Sequence, residues 1–185
     1  MKKRIVWFVI AAAVIAADQL TKLLTVTRLR LSESFDLIPG VFRFTYIRNE
    51  GAAFGMLAGH RWIFLVFSSL AIAGIAVYVM MRPPKNLLTF TALSLVAGGG
   101  VGNMIDRVRL GYVVDFIDFC AFPKLWKWIF NVADACVCVG AALLSANNST
   151  SLIFYHSLLV KAMLRFSENL FLNRSLSSFI FHNSL

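Results

Sequence analysis

Residues 102–134 read GNMIDRVRLGYVVDFIDFCAFPKLWKWIFNVAD, with four acids and two asparagines set among apolar residues. Asn103, Asp106 and Arg107 stand at i, i+3 and i+4, so a helix presents an amide, a carboxylate and a guanidinium on one face. Asn131 and Asp134 repeat the three-residue spacing at the start of another apolar run. Between them lies Asp115, in a Val-Val-Asp-Phe setting. Carboxylates in apolar surroundings are expensive to bury and are rarely kept for packing alone. The expectation is that Asp115 and Asp134 meet and perform acid/base chemistry at a membrane surface.

The rest of the chain supplies the membrane. Of 185 residues, 59% are hydrophobic and 15% charged, and the mean hydropathy is +0.75. A soluble domain of this length cannot hide so much apolar surface, so lipid is the solvent for much of it. The net charge of +9 does not indicate nucleic acid, because the basic residues lie in short clusters flanking apolar runs. That placement anchors and orients membrane helices. Cys120, Cys136 and Cys138 form an odd set without a CxxC, so neither zinc nor a disulfide framework is expected.

Four spans are expected, at about 5–24, 62–81, 87–105 and 129–146. The first follows Lys2, Lys3 and Arg4 and resembles a secretory signal peptide, but it continues through Leu20, Leu23 and Leu24, which favours a retained helix. Inside it Asp18 and Lys22 are four apart. They read either as an interfacial ion pair with Lys22 snorkelling or as buried support for a site. Residues 25–61 form a mixed outer lobe. Phe42, Phe44 and Tyr46 alternate with Arg43 and Thr45 there, the period of a half-buried strand after the Pro39-Gly40 turn. The small residues of Asn49-Glu50-Gly51-Ala52-Ala53-Phe54-Gly55 let backbone approach another surface. Arg82-Pro83-Pro84-Lys85 ends the second span, and Gly98-Gly99-Gly100 with Gly102 permits tight helix contact in the third. Residues 106–128 read as a loop with interfacial Trp126 and Trp128. The fold class is therefore a mostly α membrane protein, four transmembrane helices with a small β-containing lobe on the outer side.

Orientation rests on Lys2, Lys3, Arg4, Arg82 and Lys85, which favour cytoplasmic termini, against a larger basic count in the other two loops. With the termini inside, Asp18, Asp106, Asp115 and Asp134 gather at the outer face.

In that arrangement the chain resembles the lipoprotein signal peptidases, the bacterial type II signal peptidases. Asp18-Gln19-Leu20-Thr21-Lys22, the Asn49–Gly55 stretch, Gly102–Arg107, Val113-Val114-Asp115-Phe116 and Phe130-Asn131-Val132-Ala133-Asp134 carry the resemblance, over residues 1–146. It implies an inner-membrane aspartic protease whose β-containing lobe is periplasmic, with Asp115 and Asp134 as the catalytic pair. Asp18, Lys22, Asn49, Gly51, Asn103, Asp106, Arg107 and Asn131 are then supporting or substrate-binding residues. The implied substrate is a diacylglyceryl-modified prolipoprotein, cleaved just before the lipidated cysteine.

Physical chemistry points the same way. Two neighbouring carboxylates share a proton, so one serves as base and the other as acid. No metal or cofactor is expected: there is no His-Glu-x-x-His, His60 is isolated, and His156 and His182 lie in the tail. Membrane lipids are the remaining partners, nucleic acid is excluded, and a monomer is expected. The rival reading is a proton-coupled transporter component, since intramembrane acids also relay protons. A non-enzymatic scaffold with interhelical polar glue is the third. Residues 147–185 stand outside the resemblance, and read either as an interfacial amphipathic helix or as a frame-shifted terminus.

Overall fold

The computed structural model describes residues 2–50, 61–121 and 128–146. In chain order the elements are α1 (Lys2–Arg28), β1 (Ser34–Ile38), β2 (Phe42–Asn49), α2 (Arg61–Met81), α3 (Leu87–Arg109), β3 (Val113–Phe119), β4 (Ile129–Phe130) and α4 (Val132–Ala146). Contacts divide the chain into units 1–143 and 144–185, and the geometry below belongs to the first.

Among the described residues three helices are long and apolar enough to cross a membrane: Arg4–Arg28, Trp62–Met81 and Leu87–Arg109. The fourth, Val132–Ala146, is apolar but shorter. Large apolar side chains crowd the outside, among them Phe8 and Val9 on α1 and Phe67 and Leu70 on α2. Water would not tolerate such a surface, whereas lipid does.

Glycines set the helix spacing. A Cβ at Gly98 would lie 2.8 Å from the Ala11 carbonyl oxygen, and one at Gly102 would lie 2.6 Å from Asp18 Oδ2. Later residues of α3 therefore meet later residues of α1, and the two helices run parallel. Gly99 approaches the Ala133 carbonyl, while Gly140 approaches that of Ala92, so α4 runs antiparallel to α3. These directions bring the C-terminal ends of α1 and α3 and the N-terminal end of α4 to one level. Asp18, Asp106 and Asp134 converge for that reason.

Helix ends are shaped by local chemistry. Asn86 caps α3 by accepting from Leu88 N at 2.8 Å. At the other end Gly111, with φ +86°, turns the chain back so that β3 returns beside α3. Asn131 and Asp134 form a reciprocal capping box on α4. Asp134 N donates to Asn131 Oδ1 at 2.9 Å, and Asn131 N donates to Asp134 Oδ2 at 3.3 Å.

The four strands form one antiparallel sheet in the order β1-β2-β3-β4. Between β2 and β3 the register passes from Phe44↔Ile117 to Ile47↔Asp115, so Thr45 and Tyr46 oppose Phe116 in a bulge. The bulge puts Asn49 and Asp115 on the same side of the sheet. Arg43 Nε donates to Asp118 Oδ2 at 2.6 Å and the bulged Thr45 donates from Oγ1 to the same oxygen at 2.9 Å, pinning the pair of strands.

Several boundaries differ from the sequence reading. α1 runs on to Arg28 and α3 to Arg109, a turn beyond the apolar runs, because helical hydrogen bonding continues into the interface. The expected strand around residues 42–46 extends to Asn49. The stretch 106–128, read as a loop, contains the end of α3 and all of β3. β3 gave no alternating signal because Val113, Val114, Asp115 and Phe116 are buried on both faces. Ile129 and Phe130 are strand, so the fourth helix begins at Val132. Trp126 and the 147–185 tail lie outside the described residues.

Candidate active site

Asp115 leaves the middle of β3 and is 1% exposed. Its Oδ2 accepts from Asn49 Nδ2 at 2.9 Å and its Oδ1 from Asn131 Nδ2 at 2.6 Å. Asp134, in the first turn of α4, is half-buried. Its Oδ1 accepts from Asn103 Nδ2 at 2.7 Å. The two acids are linked through amides, since Asn131 Nδ2 also reaches Asn103 Oδ1 at 3.1 Å. Neither amide can be turned over. Lys22 Nζ, which only donates, lies 3.0 Å from Asn103 Oδ1, and the Asp134 N–H requires the oxygen of Asn131.

Behind the amides sits a buried ionic cluster. Asp18 is 0% exposed, Lys22 3% and Asp106 3%. Lys22 Nζ lies 2.9 Å from Asp18 Oδ2 and 2.9 Å from Asp106 Oδ2. Asp18 and Lys22 form a buried pair, and Lys22 does not snorkel. Lys22 points into the protein because α3 supplies Asp106 and Asn103 there, and a snorkelling lysine would leave both carboxylates unpaired.

Asn103, Asp106 and Arg107 share a stretch of α3 but serve different neighbours. Asn103 faces Asp134. Asp106 faces the cluster and accepts from Val114 N at 3.0 Å. Arg107 donates from Nη1 to the Asn103 carbonyl at 3.3 Å, and its guanidinium stands 5.3 Å from the centre of the Phe64 ring. Gly51 lies outside the described residues. The other expected site residues, Asp18, Lys22, Asn49, Asn103, Asp106, Arg107, Asn131 and the two acids, belong to this connected assembly.

Sequence reasoning gave Gln19 no role of its own. Its Nε2 donates to Asp106 Oδ1 at 2.9 Å, the Gly102 carbonyl at 3.2 Å and Asp18 Oδ2 at 3.3 Å. A glutamine three residues before Lys22 in an apolar helix was the available signal.

The Asp115 carboxyl is pushed up to about 7, first by burial and then by the charge of Asp134. The amides of Asn49 and Asn131 and the charge of Lys22 oppose the rise. A carboxyl so placed holds its proton near neutrality beside a second, more accessible carboxyl. Such a pair can donate and accept a proton in one catalytic cycle. Among the described residues no group of three His, Cys, Asp or Glu is arranged to hold a metal ion.

The family described as Signal peptidase (SPase) II matches residues 10–149. The lipoprotein signal peptidase of Symbiobacterium thermophilum is 46% identical over 140 residues, covering 74% of this chain and 89% of its own. That of Halothermothrix orenii is 41% identical over 137 residues, covering 74% and 90%. A bacterial membrane enzyme solved by the in meso method at 2.3 Å is 35% identical with a TM-score of 0.70, covering 75% of this chain and 84% of the other. A second, solved by the same method at 1.9 Å, gives 34% and 0.70, covering 77% and 91%. With helices, sheet and family match in agreement, this chain is a multi-pass bacterial membrane enzyme and belongs to the signal peptidase II family.

Proposed function

We propose that this protein is a membrane aspartic endopeptidase that removes the signal peptide from diacylglyceryl-modified prolipoproteins, cutting just before the lipidated cysteine. Asp115 and Asp134 share one proton. The ionised member takes a proton from water, whose oxygen attacks the scissile carbonyl carbon. The protonated member then supplies the proton that leaves with the amine as the C–N bond breaks. Asn49, Asn103 and Asn131 hold the carboxyls in position, so that no reorganisation is needed as charge moves between them. The observation that carries the reading is the amide-linked pair of acids, one buried and one half-exposed, at the ends of lipid-facing helices.

Counting the shorter α4 as a crossing makes four, which puts both termini on one side, and the compact Lys2-Lys3-Arg4 cluster favours the cytoplasm. The active site then opens at the periplasmic face of the inner membrane. Some of the opposing outer charge is neutralised locally, as Arg43 is by Asp118 at 2.6 Å. The transporter reading draws no support from the described acids. Asp18, Asp106, Asp115 and Asp134 join one network at one level and form no ladder across the bilayer.

Purified protein should cleave a diacylglyceryl-modified precursor and leave the unlipidated control intact. Asp115→Asn and Asp134→Asn should each abolish cleavage while the protein still inserts, because the pair works as a unit. Near-normal turnover in either variant would exclude the assignment.

A further inference from the structure

The buried cluster behind the two acids is built symmetrically about the backbone. Asp18 Oδ1 accepts from Ala133 N at 3.0 Å. Asp106 Oδ2 accepts from Val114 N at 3.0 Å. Ala133 immediately precedes Asp134, and Val114 immediately precedes Asp115. Each carboxylate thus grips the backbone one residue before a member of the pair. What joins the two grips is α1. Lys22 Nζ contacts both Asp18 Oδ2 and Asp106 Oδ2, and Gln19 Nε2 contacts Asp18 Oδ2 and Asp106 Oδ1. Gln19 also donates to the Gly102 carbonyl, where the missing Cβ makes room for Asp18.

We propose that Gln19, together with Lys22, is a positioning residue that sets the separation of Asp115 and Asp134 by tying the carboxylate of Asp18 to that of Asp106. Neither side chain bonds directly to either reacting acid. The three acceptors around Gln19 Nε2 are all oxygens, so the bridge requires a donor at that position. Lys22 alone leaves Asp106 Oδ1 without its contact from α1, and that carboxylate can then rotate and carry Val114 with it. α4 is held through Asp18 and β3 through Asp106, so a loosened bridge lets the two acids drift apart. Chemistry that needs both carboxyls around one water is sensitive to such drift.

This inference rests on Asp115 and Asp134 being the reacting pair, and the experiment separates the two ideas. Gln19→Met keeps length and removes the donor. Gln19→Lys keeps a donor in reach of both carboxylates. Cleavage of a diacylglyceryl-modified precursor is followed in detergent with kcat and KM resolved across pH, beside Asp115→Asn. In Gln19→Met, kcat should fall about tenfold to a hundredfold with KM within about twofold. Gln19→Lys should recover most of that loss.

The pH profile supplies a readout that a merely structural role would not move. The charged groups acting on Asp115 are Asp134, Lys22 and Arg107. The Asp134 charge, which raises the Asp115 value, outweighs the opposing charge of Lys22, so the alkaline limb of kcat should move to lower pH in Gln19→Met as the two acids separate. Should that variant fail to accumulate, Gln19→Ser removes the same bonds without added volume and is read identically. Unchanged kcat, or a fall in kcat with an unmoved alkaline limb, overturns the positioning role. Near-normal turnover in Asp115→Asn overturns the pair itself and this inference with it. An inactive Asp115→Asn beside a fully active Gln19→Met overturns the inference alone.

Discussion

Asp115 carries the most consequential single-residue balance in the molecule. Burial and the neighbouring Asp134 favour its neutral form, while two amides and Lys22 favour its charge, and the outcome is a carboxyl at about 7. A pair that works with one shared proton loses it as pH rises through that value, so kcat for precursor cleavage should decline above about pH 7. Stability carries the same sign. The folded state binds more protons than the unfolded chain between the ordinary value of 3.8 and about 7. The Asp115 contribution therefore becomes less favourable as pH rises through that window, by on the order of 4 kcal/mol in full. Asp115→Asn should flatten the dependence of the thermal midpoint on pH between 4 and 7, measured in detergent. A midpoint as pH-sensitive as that of the wild type would contradict this account. Arg107 makes a different kind of contact, with a planar cation over Phe64 and an N–H on the Asn103 carbonyl. Lysine keeps the charge but not the plane or the fork. Arg107→Lys should lower kcat/KM about tenfold, the equivalent of roughly 1.4 kcal/mol and within the range of a desolvated cation–π contact. Wild-type kinetics would reduce Arg107 to an ordinary interfacial arginine.

Among the elements, α3 organises the others through its small residues. Gly98 admits α1, Gly99 admits α4 and Gly102 admits the carboxylate of Asp18. Gly102→Ala should be damaging twice over. It displaces the carboxylate that holds Lys22 and the Ala133 N–H, and it wedges α1 from α3. A loss of about 1–3 kcal/mol is expected from overpacking alone, together with reduced cleavage. Gly74 on α2 supplies the control, since a Cβ there meets nothing within 4 Å. Gly74→Ala should leave activity intact and hold or slightly raise the thermal midpoint, by up to about 1 kcal/mol of helix propensity. Equal damage from both substitutions would mean that helix flexibility, and not close packing, is what these glycines provide.

At the scale of the whole molecule, the contacts of the candidate site among the described residues fall between Asp18 and Asp134, and the family match ends at residue 149. Truncation after Ala146, with a short basic terminus added to hold orientation, should therefore preserve cleavage. Activity lost from a truncated protein that still inserts and accumulates would assign the tail a role. Exposed apolar residues on α1 and α2 determine where the protein resides, while the polar network determines what it can do there.

Local sequence is enough to identify the lipid solvent and the polar residues within it. Apolar runs long enough to cross a bilayer, basic residues at their ends and acids within them are local facts, readable without knowing what packs against what. The Asn131–Asp134 spacing belongs to the same class, because a capping box is made within one helical turn. Tertiary structure decided the rest. β3 is buried on both sides, so its strand character depends on pairing with β2, far away in sequence, through a bulge that no local pattern announces. Lys22 was free to snorkel or to turn inward as far as α1 alone could tell, and the answer came from Asn103 and Asp106 on a parallel helix. Gln19 acquired two of its three acceptors, the Gly102 carbonyl and Asp106, in the same way. A side chain's helical position is set by nearest neighbours along the chain. Its hydrogen-bonding partners are set by which helix ends the glycines of α3 allow to meet.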